Sequence, residues 1–293
     1  MTPRGPETHR FETGELELAV HEWGGSGPAI LLSHATGFHG VVWRPVAERL
    51  IDQGHRVFSF DFRGHGDSDA PDIEYRWEGF GRDVLAVVEH LGLTGDARPF
   101  AAGHSKGAAA LLMAEAERPG TFRGLWLFEP IMMPIDPPPG PHDDNPLSRG
   151  ARRRRMVWDS PDEALANYSA KPPLDVLAPA ALAAYVEHGL RLTLDGTWEL
   201  KCRGEIEARV YAMGSAHGAY TRLGEITCPA TVFCGEHTNA IPADFGRDFA
   251  ERIPNGRFVL AEGLGHFGPL ENPEWAAASI VESASEAEHQ AQG

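Results

Sequence analysis

Gly103-His104-Ser105-Lys106-Gly107 constrains this chain more than any other stretch. An apolar run, Arg98-Pro99-Phe100-Ala101-Ala102, precedes it. An alanine-rich helical stretch, Ala108 to Glu117, follows it. A strand must therefore turn sharply into a helix at Ser105. Flanking glycines let the two backbones approach, and the turn strains the serine between them.

The same strand-then-helix rhythm runs through much of the chain. Arg10 to Trp23 alternates apolar and polar residues, which predicts a hairpin turning near Thr13-Gly14 after a loose tail, Met1 to His9. Ala29 to Ser33, Val57 to Phe60, Leu125 to Phe128, Ala230 to Cys234 and Arg257 to Leu260 read as buried strands. Val42 to Gln53, Trp77 to Leu91 and Ala243 to Arg252 carry helical apolar spacing, and a last helix starts at Asn272-Pro273 and runs to about Ser283, with a frayed tail from Glu286. Strands alternating with helices predict a mostly parallel sheet flanked by helices, with reactive groups at the carboxyl ends of the strands.

Between Ile135 and about Tyr220 the alternation stops. Met132 to Pro146 is too rich in proline for a long element. Ser160-Pro161-Asp162-Glu163 is a strong helix start, Asp175 to Leu190 and Gly204 to Met213 also read as helices, and Asp195-Gly196 signals a hairpin turn. The expected division is residues 1–134 as the first part of a core, 135–220 as a mainly helical insertion, and 221–293 as the rest of the core.

At 293 residues and 42% apolar composition, one large α/β domain can bury a full core. A net charge of −16 argues against nucleic acid or an anionic membrane as partner. Cys202, Cys228 and Cys234 lack metal-site spacing and read as buried free thiols in a reducing compartment. With no apolar leader and no run of about 18 apolar residues, the expectation is a cytoplasmic protein without a membrane span. A small-molecule substrate is the expected partner, no cofactor or metal is called for, and a homodimer is compatible with the sequence.

Several strand ends carry suggestive residues: His34-Ala35-Thr36, Asp61-Phe62-Arg63-Gly64-His65-Gly66-Asp67-Ser68, Ser105, Glu129, and Gly265-His266-Phe267. In this order they resemble the α/β-hydrolase family over nearly the whole chain, with the insertion where that family carries its cap. A serine hydroxyl needs a base to become nucleophilic, and a histidine titrating near neutrality supplies one. The resemblance makes Gly103 to Gly107 a nucleophile elbow, with Ser105 as nucleophile and His266 as base. His34, His65 and His104 are weaker candidates for the base, and the resemblance gives the histidines of the His34-Ala35 and Arg63-Gly64-His65-Gly66 motifs mainly the task of holding loops. It implies an oxyanion hole from the backbone amides of Thr36 and Lys106.

The family commonly places its acid in a G-x-x-D segment after the seventh strand. Here that segment reads Gly235-Glu236-His237-Thr238. A carboxylate at the end of an all-apolar strand is costly unless paired, so Glu129, after Leu125 to Phe128, is the favoured acid. Glu236 and Asp244 are its alternatives. Lys106 reads as a snorkelling lysine paired with an acid, and Arg152 to Arg155 as a solvated face. Phe38, Trp43, Met132 and Trp158 are expected to line an apolar substrate pocket, with other cap aromatics such as Tyr168 and Tyr185 in reserve.

The implied activity is hydrolysis of a carboxylic ester or lactone of a small hydrophobic substrate through an acyl-enzyme. The same triad serves carbon–carbon bond or thioester hydrolysis. A third reading is a non-catalytic small-ligand-binding protein on the same scaffold, favoured by the threonine at 238.

Overall fold

The computed structural model describes residues 5–136, 140–142 and 144–292. Two antiparallel strands, β1 (Glu7–Glu12) and β2 (Glu17–Gly24), open the sheet. Thr8 and His9 pair with β2, so the loose tail is shorter than the sequence suggests. Then follow β3 (Ala29–Ser33), α1 (Arg44–Asp52), β4 (Arg56–Phe60), α2 (Trp77–His90), β5 (Phe100–His104), α3 (Lys106–Glu117) and β6 (Gly124–Phe128).

The insertion holds α4 (Pro146–Arg153), β7 (Val157–Trp158), α5 (Pro161–Ser169), α6 (Pro179–Gly189), β8 (Leu190–Leu192), β9 (Trp198–Leu200) and α7 (Gly204–Met213). No helix or strand lies among the described residues of the proline-rich stretch before Pro146; its residues 137–139 and 143 lie outside the description. Ser160 caps α5 by accepting a hydrogen bond from the Glu163 amide at 3.1 Å. α6 begins at Pro179, later than the expected Asp175, because Ala178 is extended (ψ 141°), as a residue before proline prefers. The hairpin around Asp195-Gly196 joins β8 to β9. β7 adds on β9's other edge, so the insertion has a small antiparallel sheet beside its helices.

β10 (Ala230–Gly235), α8 (Ala243–Arg252), β11 (Gly256–Ala261), α9 (Gly268–Glu271) and α10 (Pro273–Gln292) complete the chain. α10 continues well past Ser283. Ala284 and Ala287 are buried, and Glu286 and Glu288 pair with Arg257 and Arg123 at 2.6 Å, which holds the stretch expected to fray.

The main sheet has the order β1-β2-β4-β3-β5-β6-β10-β11, parallel from β4 onward. β3 pairs with β4 on one side and β5 on the other, so the chain reverses direction across the sheet there. The crevice outside such a switch point is where an open α/β sheet binds ligands. Both faces are covered. Val84, Leu111 and Phe249 belong to one apolar cluster, while Val46, Leu50 and Ile280 belong to the other. Insertion residues Trp158, Leu182 and Tyr185 extend the second cluster over the strand ends. Among the described residues, no helix is long and apolar enough to cross a membrane.

Candidate active site

Ser105 follows β5 directly, with φ 56° and ψ −115°. A Cβ on Gly103 would stand 2.7 Å from the Ala108 backbone, and one on Gly107 2.4 Å from the Ser33 carbonyl oxygen, so only glycines fit the elbow. Its neighbour across the sheet is Glu129, at the end of β6. The Ser105 amide donates to the Phe128 carbonyl at 2.8 Å, and the Glu129 amide to the Phe233 carbonyl at 2.9 Å. Glu129 also has positive φ, 46°. Among the described residues these two are the non-glycine residues with positive φ. Such conformations cost about 1–3 kcal/mol each and concentrate where geometry serves function.

The Glu129 carboxylate is fully buried and satisfied by three donors. The His266 Nδ1–H donates to Oε2 at 2.6 Å, the Thr238 hydroxyl to Oε2 at 2.7 Å, and the Gly235 amide to Oε1 at 2.9 Å. Because the carboxylate accepts, Nδ1 carries the proton and Nε2 remains the basic nitrogen. Thr238, at the position where the resemblance expects an acid, thus donates to the carboxylate that pairs with His266. The alternatives Glu236 and Asp244 are exposed and do not meet His266. Glu236 instead accepts from the Gly263 amide at 2.8 Å.

The loops around this pair are tied down by neutral histidines. His104 donates from Nε2 to the His266 carbonyl oxygen at 2.8 Å. His34 donates from Nδ1 to the Ala35 carbonyl at 2.7 Å and accepts from the Phe62 amide at 3.1 Å. Burial above all pushes His34, His65 and His104 well below the usual histidine range. Asp61 anchors the loop after β4, accepting from the Gly40 and Asp67 amides at 2.6 and 2.7 Å. Burial opposes its charge, but the surrounding histidines, His21 foremost with His39 and His34, together outweigh that and hold it well below the usual carboxylate range. Among the described residues, neither the Thr36 nor the Lys106 amide donates to another protein atom. Both are free to meet a developing negative charge.

The Lys106 side chain departs from expectation. It neither snorkels nor pairs with an acid, and it does not face the pocket. It is wholly buried, with Nζ 4.2 Å from the Phe62 ring centre, 4.8 Å from that of Phe80, and 3.4 Å from His65 Nε2. His65 donates from Nδ1 to the Arg63 carbonyl at 3.0 Å, so its Nε2 accepts from the lysine. Burial lowers the Lys106 pKa to about 7.

A cavity of about 420 Å³ opens between the insertion and the strand ends. Thr36, Gly37 and Phe38 line it on the core side, with Phe267 next to His266; Trp158, Tyr168 and Tyr185 line it from the insertion. Ser105 is not part of the wall. Two expected pocket residues are also elsewhere. Trp43 ends a short 3-10 turn and packs with Val46 and Leu50, while Met132 joins the core cluster on the opposite face of the sheet. Apolar character predicts that such residues are buried but not against what. Sequence reading missed the hydroxyl of Thr238, for which spacing gives no signal. It also missed a polar cluster in the cavity wall, Arg154, Glu207, Tyr168 and Tyr185.

The strand order, the elbow and the Glu129–His266 pair define the class. The chain belongs to the alpha/beta hydrolase family, whose model matches residues 30–279. Human monoglyceride lipase is 34% identical over 106 residues, 36% of this chain and 35% of the lipase. A 2-(acetamidomethylene)succinate hydrolase of Mesorhizobium japonicum is 32% identical over 120 residues, 40% of this chain and 41% of that enzyme. These alignments therefore span well under half of either relative. A crystal structure of E-2-(acetamidomethylene)succinate hydrolase superposes with a TM-score of 0.79 at 22% identity, covering 96% of this chain and 99% of that one, a likeness of fold.

Proposed function

We propose that the chain is a serine hydrolase cleaving a carboxylic ester or lactone of a small, largely apolar substrate. The observation that carries this reading is the buried Glu129 carboxylate 2.6 Å from His266 Nδ1, one strand from a serine in a strained elbow. The Ser105 hydroxyl gives its proton to His266 Nε2 as Oγ bonds the acyl carbon. The Thr36 and Lys106 amides hold the oxyanion. Collapse breaks the ester bond, and the leaving alkoxide takes the proton from Nε2. Water then repeats the sequence on the acyl-enzyme and releases the acid. Glu129 keeps the imidazole in the correct tautomer and stabilises its charged form.

The cavity supports a small substrate, since its walls are mainly aromatic and aliphatic. The names of the relatives, a monoglyceride lipase and a 2-(acetamidomethylene)succinate hydrolase, are compatible with acyl transfer to water. A fluorophosphonate probe tests the reading directly. Stoichiometric labelling that maps to Ser105 and disappears in Ser105→Ala is expected. A folded protein that stays unlabelled would favour a binding module on the hydrolase scaffold.

A further inference from the structure

One member of the arginine run at the end of α4 behaves unlike the others. Arg152, Arg153 and Arg155 are exposed, but Arg154 turns inward. Its Nη1 donates to Glu207 Oε2 at 2.5 Å, and its Nη2 to the hydroxyls of Tyr185 and Tyr168 at 2.6 and 3.3 Å. All four residues line the cavity. The cluster stands over the oxyanion loop: a Cβ built on Gly37 would meet Glu207 Oε1 at 2.4 Å and Arg154 Nη1 at 3.7 Å. A guanidinium therefore sits in a cavity walled largely by aromatic and aliphatic side chains, beside Gly37, the residue after Thr36.

An ion pair that only braced α4 against α7 would use the guanidinium up. This one keeps a donor: among the described residues no acceptor takes the Arg154 Nε hydrogen. The charge of the wall is also out of character. Arg154, Arg155 and Lys171 line it against the single carboxylate of Glu207, in a chain of net charge −16. Glu163, outside the wall, answers Arg155. Burial opposes the charge on Arg154, but Tyr185, Glu207 and Tyr168 outweigh it and keep the group protonated. A planar fork with a spare N–H in a low-dielectric cavity matches a carboxylate better than any neutral group.

We propose that Arg154 is a specificity residue that binds a free carboxylate on the substrate, so that the enzyme prefers esters carrying such a group over their neutral counterparts. The proposal rests on the serine-hydrolase reading above.

Two substrate pairs test it on the wild-type enzyme. One sets 4-nitrophenyl hydrogen adipate against 4-nitrophenyl hexanoate, with the charge on the acyl side. The other sets the butanoyl ester of 4-hydroxybenzoate against that of 4-cresol, with the charge on the alcohol side. In at least one pair kcat/KM should favour the anionic member by about tenfold or more, the value of one charge-assisted hydrogen bond. Arg154→Gln should abolish that ratio, and Arg154→Lys should retain part of it. A wild-type preference for the neutral member in both pairs overturns the proposal, as does a ratio that Arg154→Gln leaves unchanged. If no ester is cleaved and Ser105 resists the fluorophosphonate, the hydrolase reading fails instead. Calorimetry with adipate then decides the anion site alone: binding that is lost in Arg154→Gln sustains it, and no binding to the wild type overturns it.

Discussion

Replacing Lys106 with methionine removes an amine that has no ion-pair partner among the described residues and no route to water. Methionine is apolar and of similar length, so it leaves no large void. Burial brings the Lys106 pKa from the usual 10.5 to about 7. At about 1.4 kcal/mol per tenfold difference in proton affinity, this separation corresponds to about 5 kcal/mol. The unfolded chain binds the proton more tightly than the folded one between pH 7 and 10.5, so this group makes wild-type stability rise with pH across that window. Its penalty is fully present below about pH 7 and fades toward pH 10.5. Lys106→Met is therefore more stable than wild type at about pH 6, and the advantage shrinks by about 3 kcal/mol on moving to about pH 9.5. The ring faces of Phe62 and Phe80 favour the ammonium and trim that figure by about 1 kcal/mol. The lost hydrogen bond to His65 costs about 1 kcal/mol at every pH and cancels from the comparison. Urea unfolding of both proteins at the two pH values, followed by tryptophan fluorescence, measures the difference. Stability curves that stay parallel within about 1 kcal/mol would refute the idea that burial unseats this proton.

Three further outcomes follow from the site. Glu129→Gln should lower kcat for ester hydrolysis by about 10³–10⁴-fold while Asp244→Asn changes it little; the opposite ranking in steady-state assays assigns the acid elsewhere. Thr238→Val removes one of three donors to the buried Glu129 carboxylate and should cost about 1–3 kcal/mol of stability, read from thermal or urea melts, with a fall in kcat. Gly107→Ala would place a methyl 2.4 Å from the Ser33 carbonyl oxygen, so it should lower the melting temperature and cut fluorophosphonate labelling of Ser105; an alanine variant that labels at the wild-type rate would show that the elbow has room to spare.

The sheet was legible because parallel strands buried on both faces must be short apolar runs, and helices between them must repeat every three to four residues. β6 and β10 announce themselves as Leu125-Trp126-Leu127-Phe128 and Thr231-Val232-Phe233-Cys234. Glu129 was legible for a related reason: a charge at the mouth of such a strand needs a partner, and its partner is His266. Features fixed by distant contacts were harder to read. Lys106 looks like any surface lysine until Phe62 and Phe80, from the chain before β5, close over it. Arg154 is one letter in a run of four, and its acceptors lie 14 residues away in α5, 31 away in α6 and 53 away in α7. Trp43 and Met132 show that hydrophobicity predicts depth better than direction. The extra length of α10 depends on the burial of Ala284 and Ala287 against the rest of the core and on two ion pairs with arginines elsewhere in the chain.

The seat of Glu129 also bears on how this molecule can change over time. The acid is carried on the rim of the central sheet, its backbone gripped by β10 through the Phe233 carbonyl. The last residue of β10, Gly235, supplies an amide to its carboxylate, and the segment after β10 supplies only the Thr238 hydroxyl. The exposed stretch beyond Thr238, from Asn239 to Ala240, holds neither Glu129 nor His266. Insertions there would leave the spacing between acid and histidine untouched. This surface is thus open to remodelling, by selection or by an engineer, without displacing the Glu129–His266 pair.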